Sequence, residues 1–250
     1  MRDMPVVPCS SIDAVQSAIA HEAFAFVRGG AMRDILAPFG SLADWQAFAD
    51  SWDALELDMY MADGGRYRRR RHAVFAATSG AGAIARQPHQ PHYQSVDYNP
   101  LHGGVERWFA PVLDDIAGSQ TLTTILTACR SLFGSLAPGA RQWHIETHQF
   151  RIEANAGQVG RPTPEGLHRD GVDYVLVLLV NRRNIASGVT GIHNLDGRPL
   201  GSFTLTDPLD AAFVDDQRVA HGVTPVQPID ADQTAYRDVL VVTFRGEKSQ

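Results

Sequence analysis

Seven short runs of β-forming residues follow one another after about residue 141, and they constrain the fold of this chain more than any other feature. They cover residues 143–152, 172–180, 189–195, 202–206, 211–214, 219–226 and 236–245. Turn signals such as Asp196-Gly197 separate them, and no helical pattern lies between them. Strands at this spacing predict an antiparallel sandwich or jelly roll rather than a doubly wound sheet.

The N-terminal part of the chain shows helical spacing instead. Apolar residues recur every three or four positions from Ser11, which predicts a helix that ends at the glycine pair 29–30. A second helix is expected from Asp44, and a third over residues 121–136. Cys129 lies on the apolar face of the third helix, so we expect it to be a small core residue.

The composition is compatible with one large domain. The chain has 250 residues and is 44% hydrophobic, which is enough to fill a core. Since no repeat or linker divides it, we expect a single domain over residues 1–250, with helical and loop support in 1–140 and a β core that carries the site in 141–247. The expected fold class is α+β with a mainly β core, and the N-terminal helices pack on one sheet.

Charge and cysteine content exclude several classes of protein. A net charge of −6 gives no general attraction to nucleic acid or to anionic lipid. Two cysteines are too few for a disulfide framework, and no apolar run approaches the ~20 residues of a membrane-spanning helix. The N-terminus lacks the apolar stretch of a signal peptide, so we expect a cytoplasmic protein without nucleic-acid or membrane partners. The sequence allows a homodimer.

Two motifs resemble binding sites but have simpler explanations. Residues 80–85, Gly-Ala-Gly-Ala-Ile-Ala, match a dinucleotide fingerprint, but Pro88 and Pro91 follow before a helix can form, which predicts a loop. Residues 66–71 contain five arginines. In an acidic chain such a run indicates a solvated edge strand or a patch paired with acids, although one arginine turned inward is able to hold a carboxylate ligand.

Several histidines are ambiguous from the sequence. His144, Glu146 and His148 share one face if residues 143–152 form a strand, and such a face is either satisfied by neighbouring polar groups or functional. The histidines of a Pro- and Gly-rich loop either line a pocket mouth or are solvated; they are His89, His92 and His102.

The most informative group of residues comprises His168, Asp170 and His221. On an extended segment, residues two apart project from the same face at ~6.6 Å, so His168 and Asp170 are able to reach one ion together. They precede the most apolar strand of the chain, and His221 lies on a later strand. Two histidines and one carboxylate on one side of an ion are typical of a non-haem Fe(II) oxygenase.

The chain resembles the bacterial Fe(II)- and 2-oxoglutarate-dependent dioxygenases related to isoleucine hydroxylase, which hydroxylate free L-amino acids. The resemblance extends from about Arg66 onward. It is carried by residues 91–99, 101–109, 147–152, 168–171 and 214–225, of which the last two segments are the most specific.

The resemblance implies a double-stranded β-helix (jelly roll) with His168, Asp170 and His221 as iron ligands. It also implies that Arg237 binds 2-oxoglutarate, with Arg245 on the same strand as the fallback. The implied cofactors are Fe(II), 2-oxoglutarate and O2, with ascorbate as the reductant in vitro, and the products are a hydroxylated substrate, succinate and CO2.

An amino-acid substrate requires a cation for its carboxylate. We expect Arg151 in this role, on the same strand face as Gln149, while alternation alone leaves open which face looks inward. Tyr93 and Gln94 are expected as pocket or lid residues. The alternatives are the same chemistry on an acylated amino acid, a peptide or a secondary metabolite, and a jelly-roll module that binds a metal or ligand without turnover.

Overall fold

A computed structural model describes residues 6–99, 101 and 103–247 of the chain. The helices are Ile12–Glu22 (α1), Gly29–Leu36 (α2), Trp45–Asp50 (α3), Asp114–Ala117 (α4) and Gln120–Leu136 (α5). The strands of the first half are Phe24–Val27 (β1), Glu56–Leu57 (β2), Arg68–Thr78 (β3) and Ala85–Arg86 (β4). Those of the second half are Gln142–Ala154 (β5), Tyr174–Arg183 (β6), Ile185–Ser187 (β7), Val189–Asn194 (β8), Pro199–Thr204 (β9), Ala211–Asp215 (β10), Val219–Val223 (β11), Val226–Pro228 (β12) and Ala235–Glu247 (β13).

The strands form one large sheet and two small ones. Among the described residues, the large sheet has the order β1-β10-β6-β13-β5-β3-β2, and β4 pairs with β3. The small sheets have the orders β11-β8-β9 and β12-β7. Val175 and Leu179 of the large sheet pack with Ile192, Phe203 and Val219 of the three-stranded sheet. The chain therefore has the expected double-stranded β-helix, with all long strands of the large sheet paired antiparallel.

The other face of the large sheet is covered by helices. Leu176 and Leu178 alternate with the inward residues of β6 and join a core that contains Leu122, Ile125 and Phe133 of α5. These five side chains are at most 1% exposed. The expected packing of the N-terminal helices on one sheet is confirmed, and so is the buried position of Cys129 in α5.

The first helix is shorter than the sequence predicts. It ends at Glu22, because Ala23 adopts a left-handed conformation (φ 67°) and the next four residues form β1 at the edge of the large sheet. Gly29 begins α2 instead of ending α1. A Cβ at Gly29 would lie 2.2 Å from the carbonyl oxygen of Pro208, so this glycine is required by the close approach of two backbones.

Other boundaries shift for local reasons. The helix expected from Asp44 covers only Trp45–Asp50 and continues as a 3-10 turn that buries Trp52. The strand expected over residues 219–226 is split into β11 and β12 at Pro225, which has no N–H to donate to a sheet. Residues 79–84 form the predicted loop.

The basic run at residues 66–71 belongs to an interior strand. β3 pairs with β2 on one side and β5 on the other, so the expectation of an edge strand is wrong. The other interpretation, a patch paired with acids, is correct. Arg68 Nε lies 2.7 Å from Asp58 Oδ2, and Arg69 Nε lies 2.7 Å from Glu153 Oε1. Long aliphatic stems allow these arginines to occupy a sheet that a short charged side chain would disrupt.

Candidate active site

A cavity of about 310 Å³ lies on the inward face of the large sheet. Its floor is apolar and comes from β6 and β13, where alternation points Val177, Val239 and Val241 inward. Charged residues surround this floor. Such a mixture of apolar walls and a few convergent polar groups is typical of a small-molecule site.

The three residues singled out by spacing come together at one side of the cavity. The backbone N–H of His168 donates to the carbonyl of His221 at 3.0 Å, and the N–H of His221 donates to the carbonyl of His168 at 2.9 Å. This reciprocal pair sets the two imidazoles side by side, with ring centroids 4.6 Å apart. Asp170 Oδ1 lies 3.6 Å from His168 Nε2, and Asp170 Oδ2 lies 3.5 Å from His221 Nε2.

A second carboxylate fixes the segment that follows. Asp216 accepts hydrogen bonds from the backbone N–H groups of Asp170, Gly171 and Val172 at 2.9, 2.8 and 3.1 Å. The turn is tight, since Gly171 has φ 81° and its Cα packs against the ring of Tyr98. Asp216 therefore holds the backbone that orients Asp170 toward the cavity.

The electrostatics of this group suit a cation. Burial lowers the pKa of His221 to about 4, so its imidazole is neutral and offers a lone pair. Burial opposes protonation of His168 too, but the adjacent Asp170 raises its pKa to about 9. Burial alone would raise the pKa of Asp170, yet the two histidines hold it below its ordinary value. Once His168 gives up its proton to an incoming cation, two nitrogen donors and one charged oxygen, too far apart for short hydrogen bonds, fit an Fe(II) ion between them.

Arg237 and Arg245 lie on the same face of β13 and differ in burial. Arg237 is 2% exposed, lines the cavity, and has no hydrogen-bond partner for Nε or Nη2 within the described part of the chain. Arg245 lines the cavity at its exposed end. The burial and free N–H groups of Arg237 fit an anionic ligand inside the cavity.

Gln149 and Arg151 lie outside the cavity, which corrects their expected contact with substrate. Both point to the opposite face of β5, because His148 and Phe150 occupy the inward face. Gln149 donates to Ser51 Oγ at 2.8 Å. Arg151 forms two hydrogen bonds with Asp238, at 2.7 and 2.8 Å, which satisfy its guanidinium in a structural ion pair.

Tyr93 and Gln94 line the cavity. Tyr93 is 57% exposed at the mouth. Gln94 is an internal link: its Nε2 donates to the backbone carbonyl of Asp170 at 3.2 Å, and its Oε1 accepts from Arg107 Nη2 at 3.0 Å. The loop that carries Gln94 is therefore attached to the Asp170 segment.

A second group of histidines surrounds Glu146 in the same cavity, and we call it the histidine–glutamate cluster. Glu146 Oε2 lies 3.0 Å from His72 Nε2, 2.5 Å from His92 Nδ1 and 3.3 Å from His148 Nε2. Glu146 Oε1 lies 3.1 Å from His144 Nε2. The predicted common face of His144, Glu146 and His148 is confirmed, and it is satisfied by neighbouring polar groups.

Hydrogen bonds determine the protonation of this cluster. Arg70 has only donors and contacts His148 Nδ1 at 2.7 Å, so that nitrogen accepts and Nε2 carries the hydrogen toward Glu146. Burial lowers the pKa of His72 and His92, and lowers that of His148 well below its ordinary value. Burial would raise the pKa of Glu146, but the surrounding N–H donors hold it well below its usual range. Glu146 is thus a buried carboxylate held by the neutral imidazoles of His72, His92 and His148.

Sequence reasoning missed three arginines of the cavity wall. Arg70 is sandwiched between the rings of Phe109 and Phe150, at 3.5 and 4.4 Å from their centroids. Arg68 and Arg107 line the same wall. The basic run and the resemblance over residues 101–109 were the available signals, but neither showed which side chains point inward.

Comparison with known proteins defines the class. A sequence model described as "2OG-Fe dioxygenase" matches residues 49–243, so the chain belongs to this family of enzymes, which use Fe(II), 2-oxoglutarate and O2. A structure described as a bsmA homolog from Methylobium petroleophilum PM1 is 35% identical, with a TM-score of 0.87 over 100% of this chain and 98% of that one.

Two relatives have assigned activities. L-Isoleucine-4-hydroxylase from Bacillus thuringiensis is 28% identical over 162 residues, which are 64% of this chain and 67% of that protein. 3(1)-Hydroxy-L-isoleucine 4-dioxygenase from Pantoea ananatis is 23% identical over 240 residues, which are 93% of this chain and 95% of that protein. Within the described residues, no helix combines the length and apolar character needed to cross a membrane.

Proposed function

We propose that the protein hydroxylates an aliphatic C–H bond of a free L-amino acid. The observation that carries this proposal is the presence, in one cavity, of the His168–Asp170–His221 group and a buried Arg237 with free N–H groups. The two relatives with assigned activities are named for isoleucine and hydroxy-isoleucine, which supports an amino-acid substrate. The balanced reaction consumes the C–H substrate, 2-oxoglutarate and O2, and forms the alcohol, succinate and CO2.

Each residue has a distinct role in this proposal. His168, Asp170 and His221 hold Fe(II) through two imidazole nitrogens and a carboxylate oxygen. Arg237 binds the carboxylate of 2-oxoglutarate that lies away from the metal, through a charge-assisted pair. The iron, when bound, supplies activation of O2 coupled to oxidative decarboxylation of 2-oxoglutarate.

The remaining walls orient the substrate and exclude water. Val177, Val239 and Val241 offer an aliphatic surface without competing hydrogen-bond groups. Because hydroxylation of an unactivated carbon depends on which C–H bond is nearest the metal, the shape of this surface selects the position. The protein contributes binding and orientation, while the cofactor contributes the reactive chemistry.

The test is succinate release by purified protein with Fe(II), ascorbate, 2-oxoglutarate and O2, with and without each of the twenty common L-amino acids. We expect one or a few amino acids to stimulate release and to be recovered as hydroxylated products. Slow release that no amino acid stimulates would reject the substrate class but retain the chemistry. Absence of succinate with full iron loading would reject the oxygenase proposal.

A further inference from the structure

Arg107 is a buried cation that forms no salt bridge within the described part of the chain, although the charges of Asp58, Glu165 and Glu146 act on it from a greater distance. It is 2% exposed and lines the cavity. Within the described part of the chain, its guanidinium has one hydrogen-bond partner, Gln94 Oε1 at 3.0 Å; no acid forms a salt bridge with it, and Nε is buried without a partner. Burying an unpaired charge is costly, so such a group indicates an anion that is supplied from outside the chain.

The neighbouring arginines are already compensated. Arg68 donates to Asp58 at 2.7 Å, and Arg70 lies 3.7 Å from the same carboxylate, while the faces of its guanidinium are covered by two aromatic rings. Among the described residues, Arg107 forms no salt bridge, and its Cζ lies 5.8 Å from the centroid of Phe109, farther than that of Arg70 at 3.5 Å. Its positive charge is therefore the one on this wall that is available to a ligand.

The cosubstrate does not account for Arg107. One carboxylate of 2-oxoglutarate belongs at the metal, and the other pairs with Arg237 in the proposed function. Arg237 is itself buried with two unpartnered nitrogen atoms, enough for a bidentate carboxylate. The cavity thus contains one more uncompensated arginine than the cosubstrate requires.

We propose that Arg107 binds the carboxylate of the substrate, so that the enzyme acts on small molecules with a free carboxylate group. This inference rests on the proposed function and deepens it. Arg68 Nη2, which is buried without a partner on the same wall, is the second donor available to that carboxylate. Amides, esters and internal residues of peptides lack the charge that compensates Arg107, and they are excluded as substrates.

Gln94 is a positioning residue for this subsite. It connects Arg107 Nη2, at 3.0 Å, to the backbone carbonyl of the proposed ligand Asp170, at 3.2 Å. The carboxylate of the substrate is thereby held at a fixed offset from the metal group. A carbon at a defined distance from the carboxylate is then presented for reaction.

The test compares Arg107→Met with Arg69→Met. Arg69 lies on β3 between Arg68 and Arg70 of the cavity wall, but it is half-exposed and paired with Glu153 outside the cavity, so it controls for the loss of one arginine. For the amino acid that most stimulates succinate release, we expect Arg107→Met to raise KM at least about 30-fold. KM for 2-oxoglutarate and the iron content should stay within about twofold of wild type.

Two further measurements separate binding from folding. Arg107→Ala should regain substrate-stimulated turnover when methylguanidinium is added, which a merely structural role would not allow. Wild type should discriminate at least about 30-fold between the amino acid and its primary amide, and Arg107→Met should lose that preference. An unchanged substrate KM in a folded Arg107→Met protein that binds 2-oxoglutarate normally would overturn the inference.

Failure of the proposed function can be distinguished from failure of this subsite. If no amino acid stimulates turnover, Zn(II)-loaded protein saturated with 2-oxoglutarate is titrated with sodium propionate and followed by saturation-transfer NMR. Propionate binding that disappears in Arg107→Met and persists in Arg69→Met would support the anion subsite alone. Equal binding to all three proteins, or to none, would reject it.

Discussion

The cavity contains two groups of histidines with a carboxylate, and their spacing separates their roles. In the group His168, Asp170 and His221, the nearest nitrogen and oxygen atoms are 3.5 and 3.6 Å apart. In the histidine–glutamate cluster, the corresponding distances begin at 2.5 Å. The first spacing leaves room for an ion, whereas the second is that of direct hydrogen bonds. Residue types alone therefore do not identify a metal site.

The charged groups around the two sets of histidines reinforce the difference in spacing. Arg70 places a positive charge 2.7 Å from His148 and fixes its second nitrogen as an N–H donor. A cation in the cluster would meet both this charge and the hydrogens that point at Glu146. No arginine forms an ion pair with Asp170 among the described residues, and its two partners are histidines. The group that contacts the second nitrogen of an imidazole therefore decides whether that imidazole serves as a metal ligand or as a hydrogen-bond donor.

The largest expected effect comes from Asp170→Ala. Loss of the only carboxylate of the proposed metal group should abolish both iron binding and substrate-stimulated succinate release while the fold survives, because this group completes a site rather than a core. Mass spectrometry measures the iron content, the succinate assay measures turnover, and far-UV circular dichroism checks that the fold is retained. A folded Asp170→Ala protein that still produces succinate at the wild-type rate would show that this group does not hold the iron needed for turnover.

Glu146→Gln tests the other group. We expect iron content to remain at the wild-type level and the free energy of unfolding to fall by about 3 kcal/mol, since an amide presents donors to imidazole N–H groups and removes the buried negative charge. Urea unfolding and metal analysis provide the measurements. Wild-type protein that binds two equivalents of Co(II), with one lost in Glu146→Gln, would show that the cluster is a metal site after all.

A third expected effect is a dependence of the free energy of unfolding on pH. The pKa values of His72, His92 and His148 are lowered in the folded protein, so as pH falls below about 6.5 the unfolded chain takes up protons first. Stability that is complete above pH 6.5 is then lost toward lower pH, by up to about 1.4 kcal/mol per pH unit for each histidine. Urea unfolding from pH 7 to 5 measures it.

His92→Asn is the matched variant for this pH series. It removes one of the three histidines of the cluster whose pKa is lowered. The difference between the wild-type and variant curves of unfolding free energy against pH then gives the contribution of His92 alone. We expect the variant curve to be flatter below pH 6.5. Parallel curves would mean that His92 is protonated to the same degree in the folded and unfolded chains.

The sequence predicted the architecture, and it singled out the proposed metal group, because the signals of both are local. Alternation within each run and the turns between them indicated the strands of the jelly roll, and the spacing of His168 and Asp170 indicated a shared face in the segment that precedes β6. The first helix was extended too far because Phe26 fits a helical period, although it lies in the edge strand β1. Local spacing cannot distinguish a helix from an edge strand when pairing with a distant strand decides which of them forms.

The arginine subsite and the cluster could not be predicted in this way. His72 meets His148 only because β3 and β5 pair in register across 75 intervening residues, and that pairing has no local signal. The assignment of Arg151 failed for a related reason: alternation defines two faces but does not say which one is inward. Asp238, its actual partner, lies on the neighbouring strand β13.

The reciprocal backbone hydrogen bonds between His168 and His221 have a kinetic consequence. They hold two of the three proposed ligands in place without help from a metal, so uptake of the ion requires little rearrangement of the chain. The rate of metal loading is then governed by passage through the cavity mouth and by departure of the proton from His168. Metal-free protein should accordingly reconstitute without refolding, and exchange one divalent ion for another through the open cavity.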